Sequence, residues 1–346
     1  MKKKILSVLL VAAISVSMLV GCGNSEKSNP EGGNSEGTVD PQITLKFGYS
    51  TSQEDPRGLA AAQFKAEVEE KTKGSVTVEL YPSGQLGGDA ALIEAIALDS
   101  GTVDITVTDA SNFATYEPKM GISALPFQFS NFEDAWAFMD SDIQAEAETL
   151  LIDNNMRVLA HYDNGFRCVT TSKVAVETPE DMANMLIRTP ENPVIMATMT
   201  ALGANPQPLA FSELYMALQQ GTYDAQENPI PVIYNNNLFE VQKYLSITNH
   251  IYSGMCFTIS ESIFNKMSSS QQEIVTAAAI SSQDFNRTTN KQQTEELLAK
   301  LEEAGMTIIE PDLAPFVEAT TIVAEDLKAT YGDLLDKLNQ WQEDRK

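Results

Sequence analysis

The sequence predicts an α/β fold made of two units. Strand and helix patterns alternate along the chain, and the alternation starts again near residue 156. Residues 270–304 then run without a Gly or Pro, long enough to brace two units. The length of 346 residues suits about two domains at 100–200 residues each.

Ile43, Leu45, Phe47 and Tyr49 alternate with polar residues, which marks a strand. Ala61, Phe64 and Val68 follow at helical spacing until Gly74. Val76, Val78 and Leu80 alternate again, and Tyr81-Pro82-Ser83-Gly84 turns the chain. A helix over 89–99 ends before Gly101, and residues 103–108 read as a strand. This β-α-β-α-β order implies parallel strands with helices on the sheet faces. In the second unit, residues 156–162 and 166–172 read as consecutive strands. Thr178-Pro179-Glu180-Asp181 reads as a helix start, with Thr as cap and Pro at the first position. Residues 186–189 read as a strand, and 194–202 as a helix stopped by Gly203. Ser212 caps a further helix that ends at Gly221. This second unit covers roughly 165–253. As one helix, residues 270–304 would be about 52 Å long; two shorter helices broken near Ser281-Ser282 are the alternative.

The first 22 residues read as a targeting segment. Lys2, Lys3 and Lys4 precede an apolar run over 5–20, too short to span a bilayer, which takes about 20 residues. It closes on Leu19-Val20-Gly21-Cys22, which resembles a bacterial lipobox and implies cleavage before Cys22 and a lipid on its sulfur. Residues 23–41 are Gly, Ser, Asn, Glu and Pro with almost no apolar side chains. They are expected to form a disordered leash. The expected location is extracytoplasmic, at a membrane surface, held only by the lipid.

Lys and Arg number 23 against 48 Asp and Glu, a formal charge of −25. That argues against nucleic acid or anionic lipid as a partner, since both need clustered basic residues. Two histidines, His161 and His250, and three cysteines count against a His/Cys metal site, so no metal and no cofactor is expected. His161 reads as a core histidine in a strand. An oxidising compartment permits a Cys168–Cys256 disulfide; two isolated buried thiols are the other reading. Neither a nucleophile elbow nor a phosphate loop, dinucleotide fingerprint or zinc-protease motif occurs, so no enzyme is expected.

Arginine is scarce, at 57, 157, 167, 188, 287 and 345. Arg167 and Arg188 sit inside apolar strand-like runs, Phe166-Arg167-Cys168-Val169 and Leu186-Ile187-Arg188-Thr189. A guanidinium beside a core strand must be paired. Its partner is either an internal acid or a ligand carboxylate held by the planar fork.

An ordered string of motifs resembles the solute-binding subunits of tripartite ATP-independent periplasmic (TRAP) transporters. The pieces are YPSGQLGGD (81–89), ALPF (124–127), YDNGFRCVTTS (162–172), IRTPENPV (187–194), LGANPQPLAFSELYMALQQGTYDAQENP (202–229) and EVQKYLSITNH (240–250). The similarity runs from about Ile43 to His250, and more loosely to the C terminus. It implies two α/β lobes around a ligand cleft, crossing strands between them, and a long helix spanning both. It also implies lobes that close on an organic acid and deliver it to sodium-driven permease subunits, the binding protein being a monomer. The resulting plan is a signal peptide at 1–21 and a linker at 22–42. Lobe I takes 43–164 with about 254–290, and lobe II takes 165–253 with about 291–346.

By the same resemblance, Arg188 of the R-x-P motif is the main carboxylate ligand and Arg167 a second contact. Asn228 donates its amide to the same carboxylate, and Phe211 packs on the ligand. Where relatives often carry His-Pro, this chain has Asp55-Pro56, so Gln53, Glu54 and Asp55 are the candidates for distal contacts. Asp109 matches an acidic position that faces the sugar in sialic-acid binders. Asp89 reaches the cleft or caps a helix. A carboxylate at 109 would repel a second ligand carboxylate and accept hydroxyl hydrogen bonds. A hydroxylated monocarboxylate such as a sugar acid is therefore expected. A C4-dicarboxylate, or a ligand-sensing lipoprotein without transport, is the alternative.

Overall fold

The computed structural model describes residues 40–345. The signal segment, Cys22 and nearly all of the linker lie outside them.

β1 (Ile43–Gly48), α1 (Pro56–Lys71), β2 (Val76–Tyr81), α2 (Asp89–Ala97) and β3 (Ile105–Asp109) form the first half. A largely helical segment follows, with α3 (Phe132–Met139) and α4 (Asp142–Thr149). β4 (Met156–Thr171) then leaves this half. β5 (Leu186–Thr189), α5 (Pro193–Ala201), β6 (Asn205–Pro208), α6 (Phe211–Gln219), β7 (Ala225–Pro229) and α7 (Ile230–Asn235) form the second half. β8 (Tyr244–Ser260) returns to the first. It is followed by α8 (Glu261–Phe264), α9 (Ser269–Glu303), β9 (Thr307–Ile309), α10 (Ala314–Asp326), α11 (Lys328–Tyr331) and α12 (Asp333–Glu343).

One sheet runs through both halves in the order β2-β1-β3-β8-β4-β7-β5-β6, with β9 beside β8. β1, β2 and β3 are parallel, as are β5, β6 and β7. β4 and β8 lie antiparallel from Met156 opposite Ser260 to Thr171 opposite Tyr244, and so tie the halves together.

Residues 156–171 are one strand, not the two consecutive strands the sequence suggests. Asp163-Asn164-Gly165 lies between the two strands expected from the sequence. In the structure it is an irregularity in the β4–β8 register, with Gly165 at φ +107°. An L side chain rarely takes that φ, and a Cβ there would meet Asn290 Nδ2 at 3.2 Å and Pro229 Cβ at 3.3 Å.

α9 is a single 35-residue helix, opened by a Ser268–Gln271 capping box. Its start adds Val275, Ala278 and Ala279 to the core formed by β1, α1 and β3. Its end adds Leu297 and Leu301 to the core around α6 and α7. The middle is polar for a reason. Gln283 Oε1 accepts from His161 N and Asn286 Oδ1 from Asp163 N, both at 2.6 Å, and Ser282 Oγ accepts from Tyr162 OH at 2.7 Å. These amide side chains satisfy strand N–H groups, which would otherwise be costly to bury.

Three expectations need correction. Thr178–Asp181 opens only one 3₁₀ turn, Pro179–Met182, which ends before Asn184 at φ +59°. The α6 cap position is Ala210, not Ser212; the hydroxyl lies inside the first turn. The tail does not stay with the second half. Phe316 of α10 packs into the core of α5, but Trp341 of α12 meets Phe129 and Phe138 edge to face. Lys337 pairs with Glu146 at 2.6 Å. Leu334, Leu335 and Leu338 supply the apolar stripe that draws α12 back to residues 118–154.

Candidate functional site

Two connected hollows open where the halves of the sheet meet. The outer one is a cavity of about 640 Å³, within the 300–1,000 Å³ usual for small-ligand sites. The inner one is a recess of about 40 Å³. Asp89, Asn112, Arg188, Pro190 and Phe211 line both.

Arg188 leaves the end of β5 and is 3% exposed. Its Nε and Nη2 donate to the Leu209 carbonyl at 2.8 and 2.5 Å. No acid pairs with it among the described residues, and Nη1 makes no hydrogen bond there. Burial pushes its pKa down to about 10, although Glu227 pulls the other way. Phe211, at the start of α6, lies under the guanidinium, with Cζ 5.8 Å from the ring centroid.

Arg167, on β4, has an internal partner instead. Its Nη2 donates to Glu227 Oε1 at 2.8 Å and its Nε to Oε2. Glu227 stands opposite Val169 on β7, one diagonal step from Arg167 on the same face. Burial favours the protonated acid, but the Arg167 charge and hydrogen bonds from His250 and Arg167 hold Glu227 below its ordinary pKa. His250, buried in β8, lies 3.4 Å from Glu227 Oε2, and burial lowers its pKa.

Asn228 lines the recess from β7. Its Oδ1 accepts from Arg167 Nη2 at 3.2 Å, and its amide donates to Gln226 Oε1 at 2.6 Å. Asp109 lines the recess from the end of β3, but its carboxylate is already engaged. Ser111 N donates to Oδ1 at 2.8 Å, Ser111 Oγ donates to the same oxygen, and Ser253 Oγ donates to Oδ2. Asp89 is the first residue of α2 rather than its cap, which is Gly88. Its Oδ1 is buried without a hydrogen-bond partner, beside both hollows.

Gln53 is the candidate that the structure keeps out. It lines neither hollow, because both ends of its amide hold the local loop. Tyr49 OH donates to Oε1 at 2.8 Å, and Nε2 donates to Gly58 O at 2.7 Å. Glu54 is exposed, and Asp55 caps α1 by accepting from Arg57 N at 3.0 Å.

The sequence reading passed over Arg57, the second residue of α1, which lines the recess and is 4% exposed. Its Nη1 donates to Val107 O at 3.1 Å and Ser50 Oγ at 3.3 Å, and its Nη2 to Asn164 Oδ1 at 3.4 Å. Scarcity of arginine was the one available signal. Asn192 was also missed. It caps α5 through Val194 N and Ile195 N, and its Nδ2 reaches across to Ser111 Oγ and Asn112 Oδ1. Cys168 and Cys256 are both buried and free, so the disulfide alternative falls.

A family model described as "Bacterial extracellular solute-binding protein, family 7" matches residues 47–330. The 2,3-diketo-L-gulonate-binding periplasmic protein YiaO of Escherichia coli is 34% identical over 77% of this chain and 80% of its own. The sugar acid binding protein DctPAm of Advenella mimigardefordensis, solved with galactonate, is 30% identical. It superposes with a TM-score of 0.85 over 89% of this chain and all of its own. A TRAP periplasmic solute binding protein from Sulfurospirillum deleyianum, solved with succinate, is also 30% identical, with a TM-score of 0.82 over 86% of this chain and 99% of its own.

Proposed function

The chain belongs to bacterial extracellular solute-binding protein family 7, the solute-binding proteins of TRAP transporters, and from that premise we propose that it captures a hydroxylated monocarboxylate, a sugar acid such as an aldonate or uronate, and delivers it to membrane permease subunits. The observation that carries this reading is Arg188, a buried guanidinium with no acid partner among the described residues. A ligand carboxylate would supply the counter-charge, and the recess beside Arg188 gives it room to do so.

Phe211 would cover the ligand from the Arg188 side, and Asn228 would turn its amide toward the carboxylate. Arg167 spends most of its fork on Glu227 and would contribute through Nη1. On the facing wall, Asp89 and Asp109 disfavour a second carboxylate, and the unpartnered Asp89 Oδ1 can accept from a hydroxyl. The sugar acids bound by YiaO and DctPAm agree with that polarity. A C4-dicarboxylate is the second reading, favoured by Arg57 on the same facing wall and by the succinate-bound relative.

The protein acts by binding, without catalysis and as a monomer. It works outside the cytoplasm, tethered through lipid on Cys22. A sensor without transport would leave uptake intact when the gene is deleted; a transport subunit abolishes it.

A thermal-shift screen of about a hundred organic acids tests the ligand class. A ligand at 100 times its Kd adds about 2.7 kcal/mol of stability. Aldonates and uronates are expected to raise the melting temperature while succinate and malate leave it unchanged. The reverse ranking would establish the dicarboxylate reading. Small-angle scattering should then show compaction with the stabilising acid; an unchanged radius of gyration would argue for a rigid pocket.

A further inference from the structure

His161 on β4 stands directly opposite Cys256 on β8, so both side chains leave the same face of the sheet side by side. α4 lies over them. Its Glu148 brings Oε1 to 2.8 Å from His161 Nε2 and 3.7 Å from Cys256 Sγ. The donor atoms of these three residues all lie within 4.8 Å of one another. On the other side of the ring, His161 Nδ1 is 3.2 Å from Asp140 Oδ1. Asp140 is fixed in turn by Arg287, through bonds of 2.6 and 2.8 Å. None of these residues lines the cavity or the recess described above.

We propose that Glu148, His161 and Cys256 form a site for a divalent cation of the zinc class, separate from the ligand cleft. An imidazole, a thiolate and a carboxylate are the donors zinc prefers, and three protein ligands leave a fourth position for water. Tetrahedral bonds of 2.0–2.3 Å put ligand atoms roughly 3.3–3.7 Å apart. The Glu148–Cys256 distance already fits, and the Glu148–His161 pair must open by about half an ångström. The second shell is in place as well. A carboxylate on the remote nitrogen fixes ring orientation and tautomer in metal-bound histidines, and Asp140 stands there. The His161 and Glu148 side chains are 14% and 10% exposed, which leaves an entry from the surface. The overall charge of −25 draws cations toward the protein.

Without metal the cluster is held by protons. Burial tends to lower the His161 pKa, but Glu148 and Asp140 raise it to about 9; burial pushes the Cys256 thiol well up. Cation entry moves the proton on His161 Nε2 and the thiol proton to solvent, with no change of oxidation state. The bound ion would tie α4 to both crossing strands. Counting histidines and cysteines argued against such a site. The strand register overrides the count by placing one of each side by side.

The test uses the purified full chain after chelator treatment. Calorimetry with Zn²⁺ is expected to give one tight equivalent, and Co²⁺ a sulfur-to-cobalt charge-transfer band. Cys256→Ala and His161→Gln should abolish the band, and Asp140→Asn should weaken Zn²⁺ binding about 10- to 100-fold. Organic-acid binding in chelator reports that each variant is folded. Should His161→Gln fail to fold, Cys256→Ala decides alone, since it only shortens a buried side chain. No band in the parent, or Zn²⁺ binding unchanged by Cys256→Ala, would overturn the proposal and assign the ions to surface carboxylates.

Discussion

Arg167 and Glu227 form a buried two-bond pair, with Nη2 2.8 Å from Oε1 and Nε bonded to Oε2. The Glu227 side chain is 0% exposed and that of Arg167 4%. Two strands away, Arg188 has no such acid among the described residues. One of the two arginines singled out in the sequence is thus paired inside the fold, and the other is buried without an acid partner among the described residues.

The first prediction follows from that difference. Arg167→Ala leaves Glu227 buried with only His250 beside it, at 3.4 Å, and removing one partner of a buried ion pair typically costs about 3–5 kcal/mol of stability. Denaturant titration should place its midpoint far below that of the parent, whereas Arg188→Ala should unfold near the parent midpoint. Equal losses in the two variants would contradict the assignment.

The second concerns acid. Because Glu227 titrates below its ordinary value, its stabilising contribution is present above the unfolded carboxyl pKa of about 4.3. It is lost as pH falls through the lower folded value. Glu227→Gln should therefore flatten the acid limb of a stability-versus-pH curve, measured by thermal melts from neutral to acid pH. A limb as steep as the parent's would remove Glu227 from the account.

The third concerns the crossing strand. Gly165 sits at φ +107°, with Asn290 and Pro229 against the position of a Cβ. Gly165→Ala should destabilise by about 1–3 kcal/mol through strain in that backbone region. Chemical denaturation reads this directly, and a neutral substitution would show that the strand relaxes freely there.

The fourth concerns Cys22. Cys22→Ser should release the protein from membranes or leave uncut precursor, as immunoblots of fractionated cells would report. Mature protein still extracted only by detergent would contradict the lipid anchor.

What was legible in the sequence was periodic or chemically unusual. Alternation at Ile43–Tyr49, the run over 270–304 and an arginine inside an apolar strand each carry their own physical signal. What was not legible depended on partners distant in the chain. Glu227 looked like part of a ligand motif until the β4–β7 register set it beside Arg167. Residues 163–165 separate the two strands expected from the sequence, yet β8 and α9 supply bonds that keep the strand continuous. Arg57 was passed over, because nothing local says that Val107 and Asn164 close over it. Gln53 read as a candidate distal contact because its partners, the Tyr49 hydroxyl and the Gly58 carbonyl, form no motif.

The central claim is that Arg188 holds the ligand carboxylate, and calorimetry on the purified Arg188→Ala variant tests it most directly. Truncating one partner of a buried charge pair costs about 2–5 kcal/mol. The Kd for the acid that stabilises the parent should therefore rise about 30- to 4,000-fold. Arg188→Lys should also weaken binding, since an ammonium lacks the planar fork. A folded Arg188→Ala protein that binds the same acid within about threefold of the parent would place the carboxylate elsewhere and contradict the account.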